Sequence, residues 1–182
     1  FRYAEVVAQA YENGTNSVEH QNFGIGDQLA LVARLIRGGL GTRLYMVTHD
    51  GFDTHANQSN QHPLLMNYLA QAINDFYADL AAGGHDDRVL SMTFSEFGRR
   101  PEQNASGGTD HGAAAPLMVF GPGLEGNGFL GGLPDLDNLD NNGNLQFTVD
   151  FRQVYATALS SWLGLDSREI LGDEFAELDL FA

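Results

Sequence analysis

The chain of 182 residues has no cysteine, so disulfides and thiolate metal sites are excluded, and the redox compartment is left open. It also has no lysine: all nine basic residues are arginine, set against 24 acidic ones, for a formal charge of -15 and a pI near 4.4. A nucleic-acid surface needs clustered cations, so that class of partner is excluded. Source composition or a salty habitat is the simplest account of the acidity, with cation recruitment as the alternative. No run reaches the roughly 18 apolar residues of a membrane-spanning helix. The start, Phe1-Arg2-Tyr3-Ala4, is neither an initiator methionine nor a signal peptide. It reads as the beginning of a processed, cleaved or partial chain.

What is present is a series of helical and strand-like stretches. Tyr3, Val6, Val7, Ala10 and Tyr11 share one side of a helix over residues 1–12, which Asn13-Gly14 ends. Asp27 leads a second helix with an apolar face of Leu29, Val32, Ala33, Leu35 and Ile36, stopped by Gly38-Gly39. Residues 42–48 read as a strand. The longest helix is expected from Pro63 to Ala82, on the stripe Leu65, Leu69, Ala72, Phe76 and Leu80. Buried strands follow over residues 89–94 and 116–120, with loop over 121–147 apart from a short strand near Gly128 to Gly131. Asp150 caps a helix to about Leu163, and residues 170–182 pack loosely or along an edge. Alternating helix and strand predicts α/β architecture with a mostly parallel sheet. No internal repeat or second domain boundary is evident.

The chemistry concentrates after the strand-like stretches. Asp53 and His55 flank a single residue in the first such loop, and a hard carboxylate beside an imidazole suits zinc, manganese or iron. Turn and capping residues are the structural alternative for them, and the leading reading for the neighbouring His49 and Asp50. Glu96 stands where a strand ends; a carboxylate buried there requires a cation or an arginine, and Arg99 and Arg100 follow. Either arginine is a solvated charge or an oxyanion fork. Asp110-His111 lies behind Gly107-Gly108-Thr109, where backbone can approach a ligand. His20, His62 and His85 lack such company and read as surface or capping residues. Asp135 to Asn144 alternates oxygen donors as calcium loops do, without the closing Glu of an EF-hand, so a solvated loop leads over a calcium site. No P-loop, dinucleotide fingerprint or serine nucleophile elbow is present.

Four segments in order, GFDTHANQ, FSEFGRRP, GGTDHG with PLMVFGPGL, and VDFRQVYATAL, resemble the domain-of-unknown-function 1501 family, which is assigned to the alkaline phosphatase and sulfatase-like superfamily. The resemblance runs from about Asp27 to Leu163. It implies an α/β/α sandwich with metal ligands at the strand ends of a mostly parallel sheet. On this reading residues 1–182 are the C-terminal portion of one domain, its core about 27–163, incomplete in this chain. Asp53 and His55 then resemble the first ligand pair, Glu96 replaces the carboxylate of the second, and His111 resembles a late histidine ligand. Asp110 ligates or supports, and Arg99 clamps the oxyanion. Phe97 stands where those phosphatases place a histidine, and Asp53 and His55 are closer together than is usual in that superfamily.

The resemblance implies a metal-dependent hydrolase of sulfate or phosphate esters, using zinc or manganese on a small anionic ester. The nucleophile would come from an N-terminal half or a partner chain, and the protein would be periplasmic or extracellular. The alternative is an exported, non-catalytic binding or assembly module that kept the fold. If the first reading holds, Asp53, His55, Glu96 and His111 are expected to converge. Arg99 is expected to meet an acid or an oxyanion, and the apolar strand faces near Val47, Met92 and Met118 to lack cover within this chain.

Overall fold

Asn13-Gly14 stops the first helix, α1 (Arg2–Asn13), at the point where it meets α2 (Gly24–Arg37). A Cβ on Gly14 would sit 2.0 Å from the Arg34 carbonyl oxygen, and one on Gly38 would sit 1.8 Å from that of Ala10. Two helix ends therefore pack backbone to backbone, a spacing only glycine permits. These helices, with α3 (Gln58–Ala82), belong to the first of two compact units, Phe1–Val89 and Leu90–Ala182. The computed structural model describes residues 2–125 and 128–182.

The core of the first unit is Ala10, Ile25, Leu29, Ala33, Leu35, Leu69, Ala72, Phe76 and Leu80, mostly from the stripes read in the sequence. Helix α2 begins at Gly24, three residues before Asp27, which lies in its first turn. Helix α3 begins at Gln58 and carries Pro63 inside it, whereas a start at Pro63 was expected. Asn57, in the left-handed region at φ 51°, turns the chain into the helix. A proline five residues into a helix costs one backbone hydrogen bond, which the packing of the rest outweighs.

Residues 42–48 are not a strand. The Gln28 side chain takes the place of a neighbouring strand at Thr48: its amide nitrogen donates to the Thr48 carbonyl at 2.8 Å, and its oxygen accepts from the Thr48 N–H at 2.9 Å. Leu44 and Met46 are exposed.

At the centre of this unit is Asp79, wholly buried on α3. It accepts from Asn16 Nδ2 at 2.6 Å and from the Ser17 N–H at 2.7 Å, pairs with His20 Nε2 at 3.0 Å, and forms an ion pair with Arg37. Arg37 also reaches the Asp79 carbonyl at 3.0 Å and Ser17 Oγ at 2.7 Å. His20, expected at the surface, has a side chain only 5% exposed. A buried carboxylate must be paired, and this one ties the 14–22 loop to α2 and α3.

The second unit holds two small antiparallel sheets. Strand β1 (Ser91–Met92) pairs with β4 (Val119–Phe120), Ser91 opposite Phe120, and Thr93 extends the contact through Met118. Strand β2 (Gly98–Gln103) pairs with β3 (Thr109–Gly112). The architecture is mixed α/β. The expected parallel sheet of an α/β/α sandwich is thereby corrected: every ladder among the described residues is antiparallel. The physical reason lies between β1 and β4. Parallel neighbours need a crossover of a dozen or more residues, usually a helix, and the intervening segment instead folds on itself as the β2–β3 hairpin. The expected strand near Gly128 to Gly131 is absent as well; residues 128–131 are irregular.

Asp150 caps α4 (Phe151–Thr157), as its position suggests. Its carboxylate accepts from the Arg152 N–H at 2.9 Å while Gln153 Oε1 accepts from the Asp150 N–H at 3.3 Å. Hydrogen bonds from the Arg152 side chain and backbone hold this carboxyl at a pKa of about 2. A π-helical turn, Ala158–Trp162, continues α4, and α5 (Ser167–Leu171) follows. The chain end then lies along residues 123–125 through a Leu124–Phe181 bridge. Among the described residues no helix is long and apolar enough to cross a membrane.

Replacing Asp79 with alanine strands Arg37 in a mostly buried position and is expected to cost about 3 kcal/mol, measured by denaturant unfolding. Burial pushes the Asp79 pKa up, but hydrogen bonds from Ser17, His20 and Asn16 and the Arg37 charge outweigh it, so the folded value is lowered. Its stabilising contribution is therefore full above the ordinary carboxylate range and lost as pH falls through the lowered folded value. Unfolding curves of the wild type should show this acid-side loss, and those of Asp79→Ala should show less of it.

Candidate metal centre

The sequence D-T-H places a buried threonine between two exposed groups. Thr54 is 2% exposed; its N–H donates to the Phe52 carbonyl at 2.8 Å, and its hydroxyl accepts from Gln58 Nε2 at 3.0 Å. With Thr54 turned inward, its neighbours turn outward, and His55 Nε2 lies 3.0 Å from Asp53 Oδ1. The loop is fixed upstream too. His49 Nε2 lies 3.0 Å from the Leu65 carbonyl oxygen, and Phe52 packs edge-on against both His49 and His62. His49 is thus an anchor of the loop to α3. Sequence reasoning passed over Thr54, although a β-branched residue between two polar ones signals inward–outward alternation.

In the second unit the β2–β3 hairpin carries the other candidates. Gly98 faces Gly112, Arg99 faces His111, and Gln103 faces Thr109, with an irregularity between Arg99 and Gln103. A Cβ on Gly98 would meet the Ala114 carbonyl oxygen at 2.0 Å, and one on Gly112 would meet Arg99 backbone at 2.6 Å. The glycines of FSEFG and TDHG therefore serve close backbone approach. Asn104 builds the turn: its Oδ1 accepts from the Ser106 and Gly108 N–H groups at 2.9 and 3.1 Å, and its Nδ2 donates to Asp110 Oδ1 at 3.1 Å.

Directly opposite residues of an antiparallel pair share a face, so Arg99 and His111 lie together. Arg99 donates to the Thr109 carbonyl and stands 4.9 Å from the Phe97 ring centroid. Phe97 in turn stacks on His111, centroids 3.9 Å apart and planes 6° from parallel. Glu96 is exposed, so the cost of burying a carboxylate does not arise there, and Asp110 is exposed as well.

Asp53, His55 and His111 are exposed, and each carries an atom of the kind that ligates cations. In the first unit Asp53 and His55 set a carboxylate oxygen beside an imidazole nitrogen, and such donors, with no thiolate, suit zinc or manganese. The 135–144 loop is different in kind. Asp140 Oδ1 accepts from the Asn142 and Asn144 N–H groups, both at 2.8 Å, and its Oδ2 from Asn144 Nδ2 at 2.9 Å. Those bonds, led by the Asn144 side chain, lower the Asp140 pKa. The carboxylate is already satisfied by its own turn.

The family model described as "Protein of unknown function (DUF1501)" matches residues 4–175. The chain belongs to this family. No curated protein and no solved structure matches it. Within the DUF1501 chain the motif segments divide by role. The Asp53 and His111 segments present metal-type donors, whereas Asp150 to Gln153 start a helix.

Gly98→Ala is expected to break the β2–β3 pairing, because the new methyl collides with backbone at Ala114 and no rotamer relieves it. Amide hydrogen exchange over Gly98 to Gly112 reads this directly. Protection equal to that of the wild type would show that the hairpin tolerates the methyl.

Proposed function

We propose that this DUF1501 chain supplies metal ligation and oxyanion recognition to a hydrolase of sulfate or phosphate esters. The observation that carries the reading is the exposed Asp53–His55 pair, held at 3.0 Å by a loop whose central residue is buried. A carboxylate and an imidazole presented together to solvent on an anchored loop are built as ligands are. His111 and Glu96 are further ligands on this reading, and Asp110 ligates or supports.

A bound zinc or manganese ion would polarise the ester oxygen. The chain's own contribution beyond ligation is Arg99, whose guanidinium matches the nonbridging oxygens of a small anionic ester. A nucleophile from an N-terminal half or a partner chain, export to the periplasm or beyond, and kinship with the alkaline phosphatase and sulfatase-like superfamily belong to the same proposal. They rest on the motif resemblance rather than on the sheet.

A second reading, a non-catalytic binding module, draws on the exposure of Leu44 at 73% and Met46 at 79% in a segment without a ladder. Large apolar side chains so exposed mark interaction surfaces when they occur together.

Metal analysis of the purified protein separates the two. The hydrolase reading expects stoichiometric zinc or manganese that chelator removes, and an affinity weakened roughly tenfold or more in Asp53→Ala and His55→Ala. It also expects metal-dependent cleavage of an aryl sulfate or aryl phosphate by the native particle, reduced in Arg99→Ala. Protein that takes up neither metal, with wild-type stability in both ligand variants, would favour the binding module.

A further inference from the structure

Phe97 occupies the position where the resemblance leads one to expect a histidine, and its ring does something a ligand would not. It lies flat on the His111 imidazole, 3.9 Å between centroids and 6° between planes. His111 is exposed on β3, and face-to-face stacking restricts the side-chain torsions of its ring. It also leaves the ring edge to in-plane partners, and the edge carries both nitrogens. A metal binds imidazole through a lone pair in the ring plane, so stacking and ligation use different parts of the ring.

The hairpin fixes the stack from below. Phe97 precedes Gly98, whose partner across the ladder is Gly112, the residue after His111. The absence of side chains at both glycines lets Gly98 approach the Ala114 backbone and Gly112 that of Arg99, at the two residues next to the stacked rings. On the other side Arg99, directly opposite His111 in register, is within 4.9 Å of the Phe97 ring and anchored to the Thr109 carbonyl.

We infer that Phe97 is a positioning residue for metal binding: its ring holds the His111 imidazole in one orientation so that a nitrogen is aimed before the cation arrives. The inference rests on His111 being a ligand, as proposed above. Phe97 itself touches no metal and donates nothing to it. Its effect is preorganisation, a saving in the ordering that ligation otherwise requires.

The test is calorimetric titration of the intact protein with zinc chloride, with melting curves recorded without metal. Phe97→Leu keeps the bulk but loses the flat face, and is expected to weaken zinc binding about 3- to 10-fold, the range of one aromatic contact. Phe97→Tyr keeps the face and is expected to bind within about twofold of wild type. The decisive arm is the double mutant: in a His111→Ala background, Phe97→Leu should have no further effect, because there is no imidazole left to orient. If Phe97→Leu lowers affinity equally in both backgrounds, its role is structural and the inference is overturned. If His111→Ala weakens zinc binding while Phe97→Leu does not, the metal reading stands and the positioning role alone falls. If His111→Ala leaves affinity unchanged, His111 is not a ligand and both fall.

Discussion

Close approach of backbone to backbone is the constraint on which both units depend. In the first, the ends of α1 and α2 meet where Gly14 and Gly38 leave no room for a methyl. In the second, the β2–β3 hairpin closes where Gly98 and Gly112 face one another. Any side chain at these positions would have to displace peptide groups, which are stiff, rather than another side chain, which can move. The glycine pairs therefore set distances that the rest of each unit is built on. In the hairpin that distance brings Arg99, Phe97 and His111 together on one face.

The two units solve their polar burdens differently. The first buries one carboxylate, Asp79, and surrounds it with an amide, a backbone N–H, an imidazole and a guanidinium. Such a cluster is costly to desolvate and severe to break, so it favours one arrangement of loop and helices over its alternatives. In the second, polar side chains mostly organise turns: Asn104, Asp140 and Asp150 each accept from nearby backbone. Rigid turns of this sort are what a hairpin needs if exposed groups on it are to hold a direction. Asp53 and His55 beside a buried Thr54, and His111 beneath Phe97, are thus exposed groups on anchored backbone.

Helix positions were legible because helix signals are local. Stripes of apolar residues at three- and four-residue steps, Gly at the ends, and Asp150 before a helix all act within a few residues of themselves. The errors fall where a partner decided. Residues 42–48 have the composition of a strand, but Gln28, a side chain from α2, took up the backbone of Thr48. Asp79 stands three residues beyond Phe76 and so falls on the core stripe of α3, a visible anomaly whose resolution needed Arg37 and His20. His20 looked unaccompanied in sequence because its company is 59 residues away.

By itself the sequence determined four of the helices over most of their length, the Asp150 cap and the family, and it set Asp53 and His55 on either side of a single residue. It also carried the glycines at 98 and 112, though not their purpose. Only the tertiary structure decided the direction of the strands, because pairing direction follows from how the intervening chain folds, and here it folded into a hairpin rather than a helix. Only the tertiary structure, too, laid Phe97 on His111. Stacking is set by the register between two strands, which here depends on the turn that Asn104 builds and on the irregularity between Arg99 and Gln103.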